Sequence, residues 1–335
     1  MSSPTVSHKP WQSGDHEKNT AVSTKVEGRG LTRGQRRTVT FYLFISPWLL
    51  GFIFLTTIPM LLGFLTSFTN YEGLSIANLR FVGLTNYVRA FTADPEVGFS
   101  LGRTLLWGLF NLPTWLILSF AMALILNQNV RGQGFFRTLY YLPSVVPVVA
   151  AITAWKVILD KNAGWLNGII DLFIPGTAIG WLSDHAMPGM TMIAVWTGLG
   201  TAMVIFLAGL QNIPDELVEA ARIDGANSFQ IFRYITLPLM TPVIFLQLVM
   251  GLIGVFQQLN LPLVLTQVGI STGAVPPRQI YLYMIHVYRQ IFISSRWGYG
   301  IALLWLLFIG VFVLTLIVFW TEKYWVYSDR PEEGR

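Results

Sequence analysis

Six stretches of this chain contain no Asp, Glu, Lys or Arg: residues 38–71, 104–130, 138–155, 185–214, 234–277 and 297–321. A bilayer's hydrocarbon core is about 30 Å thick and takes roughly 20 apolar residues as helix, so each stretch can hold one membrane crossing. The crossings are expected at 41–68, 104–126, 139–159, 189–210, 237–259 and 299–320. The third stretch is the shortest, and Lys156 at its end is expected to snorkel to the membrane surface. A soluble bundle of unusually apolar helices is the alternative. Six such gaps in a chain that is 53% hydrophobic and only 12% charged weigh against it. The fold class is therefore an all-α polytopic membrane protein. The segment 279–292 is also apolar, but His286 and Arg289 interrupt it, so it is expected to be an interfacial helix or the lead-in to the sixth crossing, not a seventh.

The chain has no cysteine, which excludes a disulfide framework and a thiol nucleophile. Its four histidines are scattered, with no HExxH and no carboxylate cluster at metal-ligand spacing, so no metal site is expected. Residues 1–38 are polar and rich in Ser, Thr, Gly and basic side chains, and Arg33, Arg36 and Arg37 stand just before the first crossing. The expectation is a disordered cytoplasmic tail held inside by its charge, followed by an uncleaved anchor. A secretory signal is the alternative, but the apolar run is long for one and no small-residue cleavage site closes it. An even number of crossings puts both termini in the cytoplasm, including a short tail at 326–335. The net charge of +5 is then a topology signal and calls for no nucleic-acid partner.

One polar island lies between the fourth and fifth crossings, at residues 212–236. In NIPDELVEAARIDG (212–225), Asn212 can cap a short helix, Pro214 suits its first turn, and Asp215 and Glu216 suit the positive end of its dipole. Gly225 can end it in a left-handed conformation. Leu217, Ala220, Ala221 and Asp224 share one face by helical spacing, and the small alanines permit close approach by another surface. After the glycine, a second short helix can present Phe229, Phe232 and Arg233. The whole resembles a docking knob for another protein.

The spacing of Glu219-Ala220-Ala221, Gly225, Ile235 and Leu237-Pro238 matches the EAA loop of permease subunits in bacterial ABC importers. Further stretches are similar to the carbohydrate, maltose-type first-subunit branch: SPWLLGFIFLTTIPMLLGFLTSFTNY (46–71), FVGLTNY (81–87), RGQGFFRTLYYLP (131–143) and AGLQNIPDELVEAARIDGA (208–226). The resemblance runs from residue 41 to about 320. It implies a type I, binding-protein-dependent importer permease fold of six transmembrane helices over 39–325, in the bacterial inner membrane. It also implies an ATPase-coupling role for Glu219, Ala220, Ala221, Asp224, Gly225, Phe229 and Arg233, with Glu219 similar to the family's glutamate that pairs with a basic residue of the ATPase. The implied partners are an ATP-binding cassette ATPase dimer, a second permease subunit that is a related but different chain, an extracytoplasmic sugar-binding protein and a sugar.

An ATPase of its own would need a phosphate cradle, but the chain has no Gly-Lys dipeptide and so no G-x-x-x-x-G-K-[ST] loop. The chain is expected to bind no cofactor and to be no enzyme, with ATP and magnesium used by the partner ATPase. A neutral polyol needs hydrogen bonds inside the membrane, and polar residues within crossings are the candidates. Thr197, Gly198, Thr201, Gly254, Gln257, Gln258 and Asn260 are expected to form the substrate cavity, near positions that the resemblance also implies. For Gly198, Gly200, Gly251 and Gly254 close helix packing is an equal alternative, and for Thr197 and Thr201 a bond back to their own helix. Asn111 is expected to bond across to another helix instead of lining the cavity.

The loops at 70–100 and 160–188 carry Asp94, Glu96, Asp160, Asp171 and Asp184 and are expected to meet the binding protein, with Trp165 and Trp181 as interface aromatics. The turn at 265–277 is longer than the family's. A non-sugar cargo such as glycerol phosphate is an alternative, although a phosphate would favour cationic cavity residues. An ion-coupled secondary transporter would call for acids or histidines within the crossings, which the gaps lack.

Overall fold

The computed structural model describes residues 33–73, 75, 77–128, 131–266 and 276–327, and these are helical apart from turns and one isolated bridge between Thr69 and Phe81. Most of both expected tails and the turn at 267–275 lie outside the described residues. The chain divides into two units, one ending at Pro59 and the other running from Met60.

In the first unit, α1 covers Arg33–Phe52 and passes into a π-helical stretch, Ile53–Thr57. It begins within the segment expected to be tail, because Gln35, Arg36 and Arg37 are good helix formers and only Gly34 opposes them. The helix α2, Ile58–Thr66, completes this apolar segment.

Beyond Met60 the order is α3 Thr85–Thr92, α4 Pro95–Leu126, α5 Gln133–Val145, α6 Val148–Ile158, α7 Trp165–Phe173, α8 Ala186–Gln211 and α9 Asp215–Ile223. Then come α10 Ser228–Ile231, α11 Leu237–Phe256, α12 Asn260–Thr266, α13 Tyr283–Tyr288 and α14 Trp297–Trp325. Five segments are long and apolar enough to cross a bilayer: Arg33–Thr66, α4, α8, Ser228–Phe256 and α14. The pair α5 and α6 makes the sixth, but it is bent by 99° where one continuous helix over 139–159 was expected. Pro147 explains the break: it has no N–H to donate, and it drives Val146 into extended conformation (ψ 133°).

The expected second helix after Gly225 is not separate either. From Ser228 the chain runs through a π-helical stretch, Phe232–Thr236, into α11. Leu237 N–H reaches back to Phe232 O. That wider turn stands directly before Pro238, whose ring would crowd the carbonyl one α-turn earlier.

A large apolar core gathers Trp107, Ile152, Met190, Ile193, Leu282 and Leu303 from α4, α6, α8, α14 and the segment before α13. A second cluster, with Ala123, Met203, Phe206 and Met240, joins the far ends of α4, α8 and α11. The segment around α13 leads into α14, as one of the two expectations had it, and is not an interfacial helix. Tyr281, Tyr283, Ile285, His286 and Val287 are buried inside the protein, so it neither lies on the membrane surface nor crosses.

A polar chain fixes α13 between α4 and α14. Asp94 caps α4 by accepting from Glu96 N–H (3.1 Å), and Pro95 suits the first turn. The other carboxylate oxygen accepts from Tyr299 Oη–H (2.8 Å) and from His286 Nε2–H (3.1 Å). His286 Nδ1 in turn accepts from Tyr281 Oη–H (3.0 Å), which itself accepts from Arg289 Nη1–H (3.2 Å). Burial holds His286 below its ordinary 6.5 although Asp94 pulls it upward. Burial pushes the Asp94 carboxyl up, but the Tyr299 hydrogen bond, the charge and hydrogen bond of His286 and the Glu96 amide outweigh it, leaving it below 3.8.

Candidate functional site

Facing surfaces of α4, α8 and α11 enclose an open cavity of about 540 Å³. From α8 it is lined by Thr197, Gly198 and Thr201, from α11 by Gly251 and Gly254, and just beyond α11 by Gln258. Five of the seven expected cavity residues thus meet here. Gln257 and Asn260 do not: α11 ends at Gln257 and α12 starts at Asn260, and both side chains are exposed away from the lining.

The glycines separate into two kinds. A Cβ on Gly200 would lie 2.5 Å from Tyr140 O and 2.8 Å from Tyr141 Cα, so this glycine lets the backbones of α5 and α8 approach. Gly198 and Gly251 hold the indole of Trp115, with a Cβ meeting it at 2.9 and 2.8 Å. Gly254 has nothing within 4 Å and leaves room in the cavity. Thr197 Oγ1–H donates to Ile193 O (3.0 Å) with Ala194 O nearby (3.1 Å), which leaves its lone pairs to accept.

The wall from α4 was missed at the level of sequence. It brings Trp107, Asn111, Leu112 and Trp115, so an aromatic wall stands across from the threonines and glycines of α8 and α11 and from Gln247 and Gln258. Asn111 does not make the interhelical bond expected of it. Among the described residues its buried Oδ1 has no hydrogen-bond partner, and neither has buried Trp107 Nε1–H. Leaving such groups unpaired costs about 1–3 kcal/mol each. Gln247 spends only one long bond, Nε2–H to Ala202 O (3.4 Å), and Gln258 Oε1 accepts from Leu261 N–H at 3.4 Å. No residue lining the cavity carries a charge.

The second candidate region is the loop between α8 and α11. Asn212 ends α8 and does not cap α9, whose N-cap is Pro214 with extended backbone (ψ 127°). Asp215 and Glu216 fill the first turn of α9 as expected. Asp224 follows its last turn, and Gly225 takes φ +87°, a left-handed value that side chains rarely adopt. Asn227 and Gln230 then form a capping box, each side chain bonding the other's backbone N–H (2.8 and 2.9 Å). Glu219, Asp215 and Arg222 line a groove of about 650 Å³ closed by Asn127 and Gln128 from the end of α4 and by Phe232. Ala220 is exposed and Ala221 half-buried. Ile223 and Phe229, 86% and 73% exposed, stand outward, and Arg233 lies over the ring of Tyr234 (5.8 Å).

The acids of the opposite loops have internal work. Asp94 belongs to the buried polar chain, and Asp160 accepts from Asn162 and Ala163 N–H (both 2.9 Å). Asp171 accepts from Gly176 N–H (2.7 Å), while Asp184 pairs with Lys161 (3.4 Å) and Glu96 with Arg278 (2.6 Å). Trp181 donates Nε1–H to Asn167 Oδ1 (2.8 Å), and Trp165 stays exposed.

Residues 115–325 match the family described as the inner membrane component of binding-protein-dependent transport systems. The chain is 36% identical over 296 residues to the probable ABC transporter permease protein YesP of Bacillus subtilis, covering 87% of this chain and 93% of that one. It is 30% identical over 278 residues to the trehalose/maltose transport system permease protein MalF of Thermococcus litoralis, covering 82% and 91%. A bacterial alginate ABC transporter crystallised with its pentasaccharide-bound periplasmic protein contains a chain of the same fold, at a TM-score of 0.73 and 19% identity, covering 86% of this chain and 95% of that one. The apolar segments are thus those of a multi-pass inner-membrane protein, and the chain belongs to the ABC transporter permeases of binding-protein-dependent systems.

Proposed function

We propose that this permease passes a sugar or oligosaccharide through the cavity between α4, α8 and α11, receiving it from a sugar-binding protein. The observation that carries this reading is a charge-free cavity lined by Trp115 and by the polar side chains of Asn111, Thr197, Thr201, Gln247 and Gln258. A sugar offers hydroxyls that such amides and hydroxyls can bond and an apolar ring face for an indole. Transport names among the relatives, such as trehalose/maltose and arabinooligosaccharides, point the same way.

The loop at 212–236 is the coupling element in this proposal. It faces the cytoplasm together with both termini, and α9 seats in a separate ATPase subunit that binds ATP and magnesium. Glu219, Ala220, Ala221, Asp224, Gly225, Phe229 and Arg233 form the contact. A second, related permease subunit completes the pathway, and closure of the ATPase dimer rocks the helices so that the cavity opens to alternate sides.

The test is reconstitution with the neighbouring ATPase, second permease and binding protein in lipid. ATP hydrolysis is expected to rise with one sugar-loaded binding protein and to lose that stimulation in Glu219→Ala. Sugar uptake is expected to fall at least tenfold in Asn111→Leu with melting unchanged or raised, since the variant removes an unpaired acceptor. Solute movement by this chain alone under an ion gradient, without ATP, would overturn the proposal.

A further inference from the structure

The helix α7 has one face that nothing among the described residues covers. Trp165, Ile169, Leu172 and Phe173 fall on one side by helical spacing, and Trp165, Leu172 and Phe173 are 73%, 80% and 81% exposed. Its edge and opposite side are fixed to the protein. Leu166, bordering Phe173, packs against the large core, and on the far side buried Asn167 donates its amide to the carbonyls of Lys161 (2.9 Å), Ile179 (2.9 Å) and Asp160 (3.3 Å) while accepting from Trp181 Nε1–H. The apolar face is therefore held outward, since rolling it inward would break this set of bonds.

What covers it follows from where α7 begins. The helix α6 ends at Ile158, and the six residues before Trp165 do not extend away from it. Asp160 folds them back on themselves, accepting from Asn162 and Ala163 N–H with its carboxylate and from Gly164 N–H with its carbonyl (3.2 Å). Even fully extended, six residues reach only about 20 Å, and this turn is much shorter. The face is thus continuous with the membrane that surrounds the crossings. Its composition suits the boundary between headgroups and acyl chains, with a tryptophan at one end, aliphatic and phenyl groups along it and no charge. Asp171, the only charged residue of α7, is turned back to Gly176 N–H. Lys156, in the last turn of α6, has a long stem that can lift its ammonium to the headgroups.

We infer that α7 is a membrane-surface helix whose Trp165, Ile169, Leu172 and Phe173 are seated in lipid at the end of the bundle opposite the Glu219 loop, bracing the outer end of α6 through Asn167. The chain has no cysteine, so a single introduced thiol is unique in it. Spin labels would be placed at Leu172→Cys, Phe173→Cys and, as a water-exposed control, Asn162→Cys, in the assembled transporter with cysteine-free partner subunits in lipid bilayers. Collision with oxygen, which concentrates in lipid, would be compared with collision with a water-soluble nickel chelate. Labels at 172 and 173 are expected to favour oxygen several-fold and the label at 162 to favour nickel, unchanged on adding the binding protein. Nickel access at 172 and 173 would show a face in water, and low collision with both reagents would show a protein partner; either overturns the inference. As a readout independent of cysteine, lipids brominated near the headgroup should quench the parent's fluorescence more than that of Trp165→Phe, and equal quenching would count against lipid contact.

Discussion

The two ends of the bundle are built on opposite plans. At the end bearing Asp94, hydrogen bonds join residues 179 to 205 positions apart: Thr104 to Tyr283, Arg278 to Glu96, His286 to Asp94 and Tyr299 to Asp94. At the end bearing Glu219, the polar bonds of the loop are local, with Ala226 N–H reaching Ala221 O and Asn227 and Gln230 bonding each other. The loop's large apolar side chains, Ile223 and Phe229, stand outward. The Asp94 end holds α4, α13 and α14 as one block through its long-range polar chain. The difference teaches where the chain ties distant helices together by polar bonds and where it relies on bonds within one loop.

The largest expected effect comes from breaking the Asp94 end. Asp94→Ala removes the acceptor of both Tyr299 and His286 and strands two buried donors, so it should cost about 3 kcal/mol and lower the melting temperature of the assembled protein. A loss below about 1 kcal/mol would mean that the polar chain does not bind the three helices together.

Acid should act on the same end. His286 is held below 6.5 by burial, so below that pH the unfolded chain binds the extra proton first and stability falls with acidification. Asp94, held below 3.8, adds a further loss only as pH falls below that value. Melting measured from about pH 7.5 to about pH 5.5 should decline in the parent and be flatter in His286→Asn. Equal slopes would place the acid sensitivity elsewhere.

At the loop the effects on stability shrink while those on coupling grow. Gly225→Ala meets no steric neighbour within the chain's described residues, but its φ of +87° should cost about 1 kcal/mol and, on the proposed coupling, lower binding-protein-stimulated ATP hydrolysis. Phe229→Ser should change stability by less than about 0.5 kcal/mol, since the ring is exposed, yet lower binding-protein-stimulated ATP hydrolysis. If Phe229→Ser instead destabilised the chain as Asp94→Ala should, the contrast between the two ends would be lost.

The crossings and the loop were legible because they rest on composition and local chemistry: charge-free gaps, a helix-starting acidic turn, and a glycine where φ is positive. The 99° bend was written in Pro143 and Pro147 but was read as ordinary helix, because proline alone does not say whether a helix kinks or breaks. Asn212 was read as a cap for α9, whereas the chain uses it to finish α8. The polar chain at Asp94 was out of reach, because its partners are far apart in sequence and only the packing of α13 brings them together. Thr197, Gly198, Thr201 and Gln258, expected together from polarity or smallness within crossings, and Gly254, expected from the resemblance, line one cavity. Trp107 and Trp115 were not expected there, since an indole in an apolar helix looks like any other membrane residue. Asn111 was seen but assigned to the wrong neighbour, because sequence does not say which way an amide points.

The break between α5 and α6 has a further meaning for how this chain lives in a bilayer. The last carbonyls of α5 and the first N–H groups of α6 fall outside their own helical ladders, and the residues flanking the break, Val145, Val148 and Val149, are exposed. Hydrocarbon offers such groups no hydrogen bond, so interrupted backbone survives at membrane depth only against protein or in a water-filled space. A single copy of this chain is for that reason an unfinished solute. Its third crossing carries a demand for a neighbour or a wet lumen, and lipid alone cannot meet it.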